Sequence, residues 1–292
     1  MHRSLRTILL LLALLAPRVF AADASPEMSP EQRAFVEKLE ALDWVNGPTT
    51  VDVSGNSKLV IPEGYRFLDA RNTDKFLELT RNLSNGDRVL LAPKDLSWTA
   101  YLSFADEGYV KDDEKIDATE LLKAMKAGEK DANAERRRRG YPELEILDWA
   151  IPPAYNTTNK RLEWATRLRS DGIEDVNFST KLLGRRGHTS VILVAAPEDL
   201  TAARSQLETV LGGFSFNEGE RYADWVPGDK VATYGLAALV LGGAAAVAAK
   251  KGLFAALIGF IVAKIKLVIA GIVALGAAIK KFLFGKKTDD AG

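Results

Sequence analysis

Residues 160–196 read KRLEWATRLRSDGIEDVNFSTKLLGRRGHTSVILVAA. Three runs inside that stretch, KRLEWATRL (160–168), VNFSTKLLG (176–184) and TSVILVAA (189–196), concentrate apolar, aromatic and β-branched residues. Asp-Gly separates the first two and Arg-Arg-Gly the last two, and both suit hairpin turns. A fourth run, LEILDWAI (144–151), comes just before, joined through a connection containing Pro-Pro and Asn-Lys. Four such strands in succession predict an antiparallel meander. PEDLTAARSQLETVLGG (197–213) then closes it as an amphipathic helix, with Leu200, Leu207, Val210 and Leu211 inward.

Working outward toward the N-terminus, SPEQRAFVEKLEALDW (29–44) has Ser29 as cap, Pro30 at the first helical position and acids in the first turn. TTVDV, KLVI and GYRFL read as short strands punctuated by Gly-Asn and Pro-Glu-Gly turns. TDKFLELTRN reads as a helix and VLLAP as a strand. WTAYLSFA (98–105) alternates, with Trp98, Ala100, Leu102 and Phe104 opposite Thr99, Tyr101 and Ser103. DATELLKAMKAGEKDANAERRRRG (117–140) is a helix capped by Asp117, with Glu120 placed for a capping box and Gly140 with Pro142 as the stop. Its polar C-terminal half is expected to project into solvent. The order predicts an α+β fold, a mostly antiparallel sheet with helices on one face. The final meander plus helix resembles the small Mog1/PsbP-type sandwich.

The ends differ from the body. The chain holds 39 basic and 39 acidic residues, but residues 1–22 carry Arg3, Arg6 and Arg18 without an acid. Residues 229–292 carry nine lysines against Asp229, Asp289 and Asp290, which leaves the middle, 23–228, at −9. An acidic body with cationic ends suits the lipid bilayer as a partner and nucleic acid poorly. The chain has no cysteine, which excludes disulfides, thiolate metal sites and a cysteine nucleophile.

MHRSLRTILLLLALLAPRVFAADA has the charged start, short apolar core and small-residue cleavage site of a secretory signal, assigned to residues 1–22. VATYGLAALVLGGAAAVAA (231–249) is uncharged, ends at Lys250 and Lys251, and would reach about 28 Å as a helix, close to a bilayer core. The lysine pair would then stay cytoplasmic, as the positive-inside rule asks. Ala238, Gly242 and Ala246 are spaced four apart, a pattern that permits close helix packing and self-association. A second apolar segment, 252–279, holds Lys264 and Lys266 at its middle. At a helix centre each lysine costs ~2.5–3.5 kcal/mol, which nearly cancels the gain from the apolar residues around them. Three readings stay open: a span whose lysines face a partner helix, an interfacial segment, or a break at the lysines. Tyr222 and Trp225, ahead of the first span, and Tyr234, at its start, are placed as membrane-interface aromatics together with Lys250 and Lys251.

Candidate chemistry in the body is sparse. His188 and Ser190 share a strand face, but their spacing does not reach the geometry of a histidine–serine pair. The acidic loop ADEGYVKDDEKID suits hard cations by residue type, although its spacing is not that of an EF-hand. Asp112, Asp113, Glu143 and Glu145 are the carboxylates on which glycoside hydrolysis would draw. ERRRRG (135–140) reads as a charged helix end with Glu135 and Arg139 paired at i, i+4. No cofactor, metal or catalytic set is expected.

Four blocks also carry a resemblance: EGYVKDDEKIDATELLKAMKAG, GYPELEILDWAIPPAYN, LEWATRL, and FNEGERYADW with DKVATYG. Together they resemble an uncharacterised bacterial family of membrane-anchored proteins with a domain of unknown function, the one numbered 2167. The resemblance runs from about residue 45 to 235 and on into the anchor. Asp148 stands where the pattern has glycine, and Asn156 where it has aspartate. The resemblance implies an envelope location and supplies no catalytic residues. The leading expectation is a non-enzymatic protein of the bacterial inner membrane whose periplasmic domain, 23–228, binds a partner protein or envelope component. The alternatives are a carboxylate-based envelope hydrolase, or a transport accessory using Lys264 and Lys266.

Overall fold

A computed structural model describes residues 29–84 and 86–242. The signal peptide, Ala246, Lys250, Lys251, Lys264, Lys266 and the segment 252–279 lie outside the described residues. The described chain forms an antiparallel sheet of eight strands and a smaller one of three. Helix α1 (Pro30–Glu40) opens with Ser29 and Gln32 in a reciprocal capping box. Strands β1 (Val45–Asn46), β2 (Thr49–Asp52), β3 (Ser57–Ile61) and β4 (Tyr65–Leu68) follow, then helix α2 (Ala70–Leu79), capped by Asp69. Strands β5 (Val89–Pro93) and β6 (Thr99–Ala105) precede the long helix α3 (Ala118–Arg138). The meander is β7 (Glu145–Asn156), β8 (Arg161–Ser170), β9 (Ile173–Leu183) and β10 (His188–Ala195). Helix α4 (Leu200–Leu211), strand β11 (Phe214–Phe216) and helix α5 (Leu236–Val240) complete the described chain.

The large sheet runs β1-β4-β5-β6-β10-β9-β8-β7, and the small one β11-β3-β2. The β8–β9 hairpin turns on Asp171 and Gly172, both at positive φ, as a two-residue type I′ connection requires. A hairpin turn at that dipeptide is what the sequence predicts.

Side-chain alternation divides the sheet into two faces. One buries Phe67, Leu91, Leu102, Phe178 and Leu193 under α4 and the small sheet. The other buries Leu68, Leu90 and Tyr101 under α1 and α2 at one end, and Leu162, Trp164 and Leu183 under α3 and α5 at the other. Helices therefore flank both faces, not one. Adjacent apolar pairs such as Leu90-Leu91 and Leu182-Leu183 put buried side chains on each side of the sheet, so each side needs a cover.

Two further expectations are corrected. The C-terminal half of α3 does not project freely: Asn133 and Arg136 are buried. The Asn133 amide donates to Leu144 O at 2.8 Å and accepts from Leu144 N at 2.9 Å, which ties the helix to the entry of β7. Nor does the compact unit stop at 228; it runs to Leu241. Tyr109 and Val231 form a parallel bridge, Arg185 pairs with Asp229 at 2.7 Å, and Leu236, Leu239 and Val240 are buried in the core beside Trp164. The described part of the span expected over 231–249 is thus a five-residue helix packed into the domain, closed at Leu241 and followed by Gly242 at φ +104°. Ala238 and Gly242 therefore do not continue along one helix. Among the described residues no helix is long and apolar enough to cross a membrane.

Candidate functional site

The second face of the large sheet carries a polar island between its two helical covers. Register creates it. On β9 and β10, Lys181 lies directly opposite Ser190, and Leu183 opposite His188. On the other side of β10, β6 sets Ser103 opposite Ser190 and Ala105 opposite His188. Because cross-strand partners share a face, Lys181, Ser190, His188 and Ser103 come together there. Lys181 Nζ donates to Ser190 Oγ at 2.6 Å and stands 5.8 Å from the Trp164 ring centroid. Lys181 and Ser190 are each 9% exposed and His188 4%, while Ser103 is half-buried.

The electrostatics follow from that burial. Removal from water pulls the Lys181 amine down to about 8, with the Glu107 carboxylate opposing and Arg88 assisting. Burial, with the Lys181 charge beside it, pushes His188 down to about 3, so its ring is neutral at neutral pH. His188 Nδ1 finds no hydrogen-bond partner among the described residues. The arrangement is a hydroxyl held by an amine that exchanges its proton near physiological pH, with a neutral imidazole on the same face.

His188 and Ser190 share a face without a hydrogen bond between them, as the sequence predicts; the partner of Ser190 is Lys181. The sequence does not single out that lysine, because VNFSTKLLG reads simply as a strand. The signal was present: a four-residue connection between Leu183 and His188 fixes the register that sets 181 against 190.

The expected interface aromatics occupy a different cluster. Tyr222 stacks on Tyr109 with ring centroids 4.4 Å apart, and Trp225 tilts against the same ring at 5.1 Å. Tyr222 is buried, its hydroxyl donating to Val110 O at 2.9 Å, which fixes it inside the domain. Trp225 and Tyr234 are half-buried, and Val226 and Val231 beside them are exposed. A shallow cleft of about 660 Å³ adjoins this cluster, lined by Lys160, Arg161, Phe216, Arg221 and Tyr222 among others.

The acids of the candidate loop serve the fold. Asp112 accepts from Lys160 at 2.8 Å and Tyr155 at 2.9 Å. Burial works to raise its carboxyl, but those bonds outweigh it and hold the group below its ordinary range. Asp106 pairs with Arg186, Asp117 caps α3, and Glu114 accepts from Ala237 N at the start of α5. Glu143 pairs with Arg137 and Glu145 with Arg169. Among the described residues no three His, Asp or Glu side chains converge as metal ligands would. At the end of α3, Arg139 donates to Glu135 at 2.8 Å, the i, i+4 pair the sequence predicts.

The fold defines an α+β domain built on one large antiparallel sheet. The chain belongs to the family described as "Protein of unknown function (DUF2167)", whose model matches residues 45–276. No curated protein matches it in sequence. Among solved structures it is similar to the cyanobacterial PsbP (CyanoP) of Synechocystis, at 14% identity over 59% of this chain and 95% of that one, with a TM-score of 0.36. It is also similar to the Saccharomyces cerevisiae Ran-binding protein Mog1p, at 10% identity over 59% of this chain and 96% of that one, with a TM-score of 0.30.

Proposed function

We propose that this is a membrane-tethered protein of the bacterial envelope, whose domain is exported and binds a partner protein or envelope component. The observation that carries the reading is the junction at Leu241. The compact unit ends there, and the apolar, lysine-bearing run of residues 243–292 follows without a hydrophilic linker. With 231–241 committed to the domain, tethering falls to the later segment, 252–279, whose apolar content is long enough for a bilayer. Trp225 and Tyr234, with exposed Val226 and Val231, are the side chains that would rest at the lipid headgroups. The leader-like residues 1–22 support export, which would put the domain on the periplasmic side.

The cleft beside Tyr222 is the surface we assign to the partner: Arg161 offers charge there to an acidic group, while Lys160 and Arg221 are already paired with Asp112 and Asp224. The runner-up, a carboxylate hydrolase, is less well supported, because Asp112, Glu143 and Glu145 are each held by a cation. A transport accessory would depend on Lys264 and Lys266; leucine at both, without effect on a deletion phenotype, would remove it.

Topology tests the proposal directly, and a cysteine-free chain makes it simple. Thr157, exposed in the β7–β8 turn, is changed to Cys in one variant and Thr288 in another. In intact spheroplasts a membrane-impermeant maleimide should label Thr157→Cys. Protection of that site until lysis would end the export reading. Protection of Thr288→Cys until lysis would mean that 252–279 crosses once, and its labelling that the segment does not cross. Crosslinking from Arg161 and Arg221 positions should capture a partner that the double glutamate variant loses.

A further inference from the structure

Lys181 sits where an apolar side chain would pack without cost, inside a sheet face whose neighbours are Trp164, Leu162 and Leu183. A charged amine there works against folding, and sequences tolerate such local conflicts chiefly at functional positions. Its one described hydrogen bond is aimed at a hydroxyl, at 2.6 Å, through direct cross-strand register. The hydroxyl belongs to Ser190, which lies between Lys181 on one side and Ser103 on the other.

We propose that Ser190 is a nucleophile and Lys181 its general base, giving this domain an acyl-transfer activity toward an ester or amide. The inference is independent of where the membrane lies. Serine–lysine pairs need an amine that can be deprotonated near neutral pH and a hydroxyl within hydrogen-bond reach. Burial of Lys181 meets the first need and the 2.6 Å contact the second. When the amine is neutral the hydrogen bond reverses, and Ser190 Oγ–H donates to Nζ. Oγ then attacks the acyl carbon while its proton passes to Lys181. Collapse of the tetrahedral intermediate breaks the bond to the leaving alkoxide or amine, which takes that proton. Water attacks the acyl-serine with Lys181 again receiving the proton, releasing the carboxylic acid and restoring the hydroxyl.

The groups at hand to donate to the developing oxyanion are the Ser103 hydroxyl and the neutral His188 ring, both on the same face. Since Ser190 is only 9% exposed, the acyl group must be slim.

The test treats the purified full chain with methanesulfonyl fluoride, a small serine-directed reagent, from pH 6 to pH 10, followed by peptide mass spectrometry. The expected result is a sulfonyl adduct on Ser190 that forms at least about tenfold faster at pH 9 than at pH 6.5, following the free amine. Ser190→Ala should abolish the adduct. Lys181→Arg, which keeps the charge but cannot serve as base, should slow it at least about tenfold while leaving the circular dichroism unchanged. Ser205→Ala, on the exposed side of α4, should not alter it. Absence of a Ser190 adduct at every pH from a folded chain would overturn the proposal. So would an unchanged rate in a folded Lys181→Arg variant.

Discussion

Replacing Lys181 with methionine should make this protein more stable at neutral pH, an unusual outcome for a core substitution. The amine falls from 10.5 in the unfolded chain to about 8 in the folded one. At about 1.4 kcal/mol per pH unit, holding the charge in the folded state costs roughly 3 kcal/mol. Methionine matches the lysine stem in length and removes the charge. It also removes the bond to Ser190, a loss of about 1 kcal/mol. The net expectation at pH 7 is a gain of about 2 kcal/mol. The sign with pH is opposite to that of a paired lysine. Between about 8 and 10.5 the unfolded chain binds more protons than the folded one, so wild-type stability rises with pH over that window. The advantage of Lys181→Met should therefore shrink from pH 7 to pH 10. Urea titrations followed by tryptophan fluorescence at pH 7, 8.5 and 10 would read both effects, because tyrosine titration is common to the two proteins and cancels in the difference. A variant less stable than wild type at pH 7, or a difference independent of pH, would refute the electrostatic reasoning.

His188, neutral with a folded value of about 3 against 6.5, should cause stability to fall as pH drops below about 6.5, and His188→Leu should flatten that slope in urea midpoints compared at pH 7 and 5. Asn133→Ala removes both bonds to Leu144 and leaves its backbone groups unsatisfied, so a loss of about 1–3 kcal/mol is expected in the same assay. Gly187→Ala places a methyl group 1.8 Å from Ala105 O, a backbone atom of the neighbouring strand, and should leave the chain unable to accumulate in folded form, as limited proteolysis would show. Asp112→Asn weakens a half-buried pair with Lys160 and should cost about 1 kcal/mol, and it loosens Tyr155, whose hydroxyl is pushed upward by burial first and by that carboxylate second.

Much of the secondary structure was legible because its causes are local. Ser29, Asp69 and Asp117 each accept from backbone N–H groups within three residues, and Asp171-Gly172 makes its turn unaided. The meander 144–196 and the closing helix could be read from alternation and a few turn residues. The apolar run 231–241 could not, because its composition is equally compatible with a bilayer and a protein core. Hydropathy measures aversion to water, and both environments satisfy it. What decided between them was contact with residues far away in sequence: Ala237 N on Glu114, Tyr222 on Val110, Ala232 on Tyr109.

The same distinction separates what each level determined about this protein. By itself the sequence determined an α+β domain with an antiparallel meander, free of cysteine and flanked by apolar, cationic ends, since composition, caps and hairpin turns act over a few residues. Only the tertiary structure decided that helices cover both sheet faces, that the domain runs on to Leu241, and that Tyr222 is core. Only register across three strands put the Lys181 amine on the Ser190 hydroxyl and the Ser103 hydroxyl on its other side. Register is set by the packing of whole faces, so no short stretch of the chain states it.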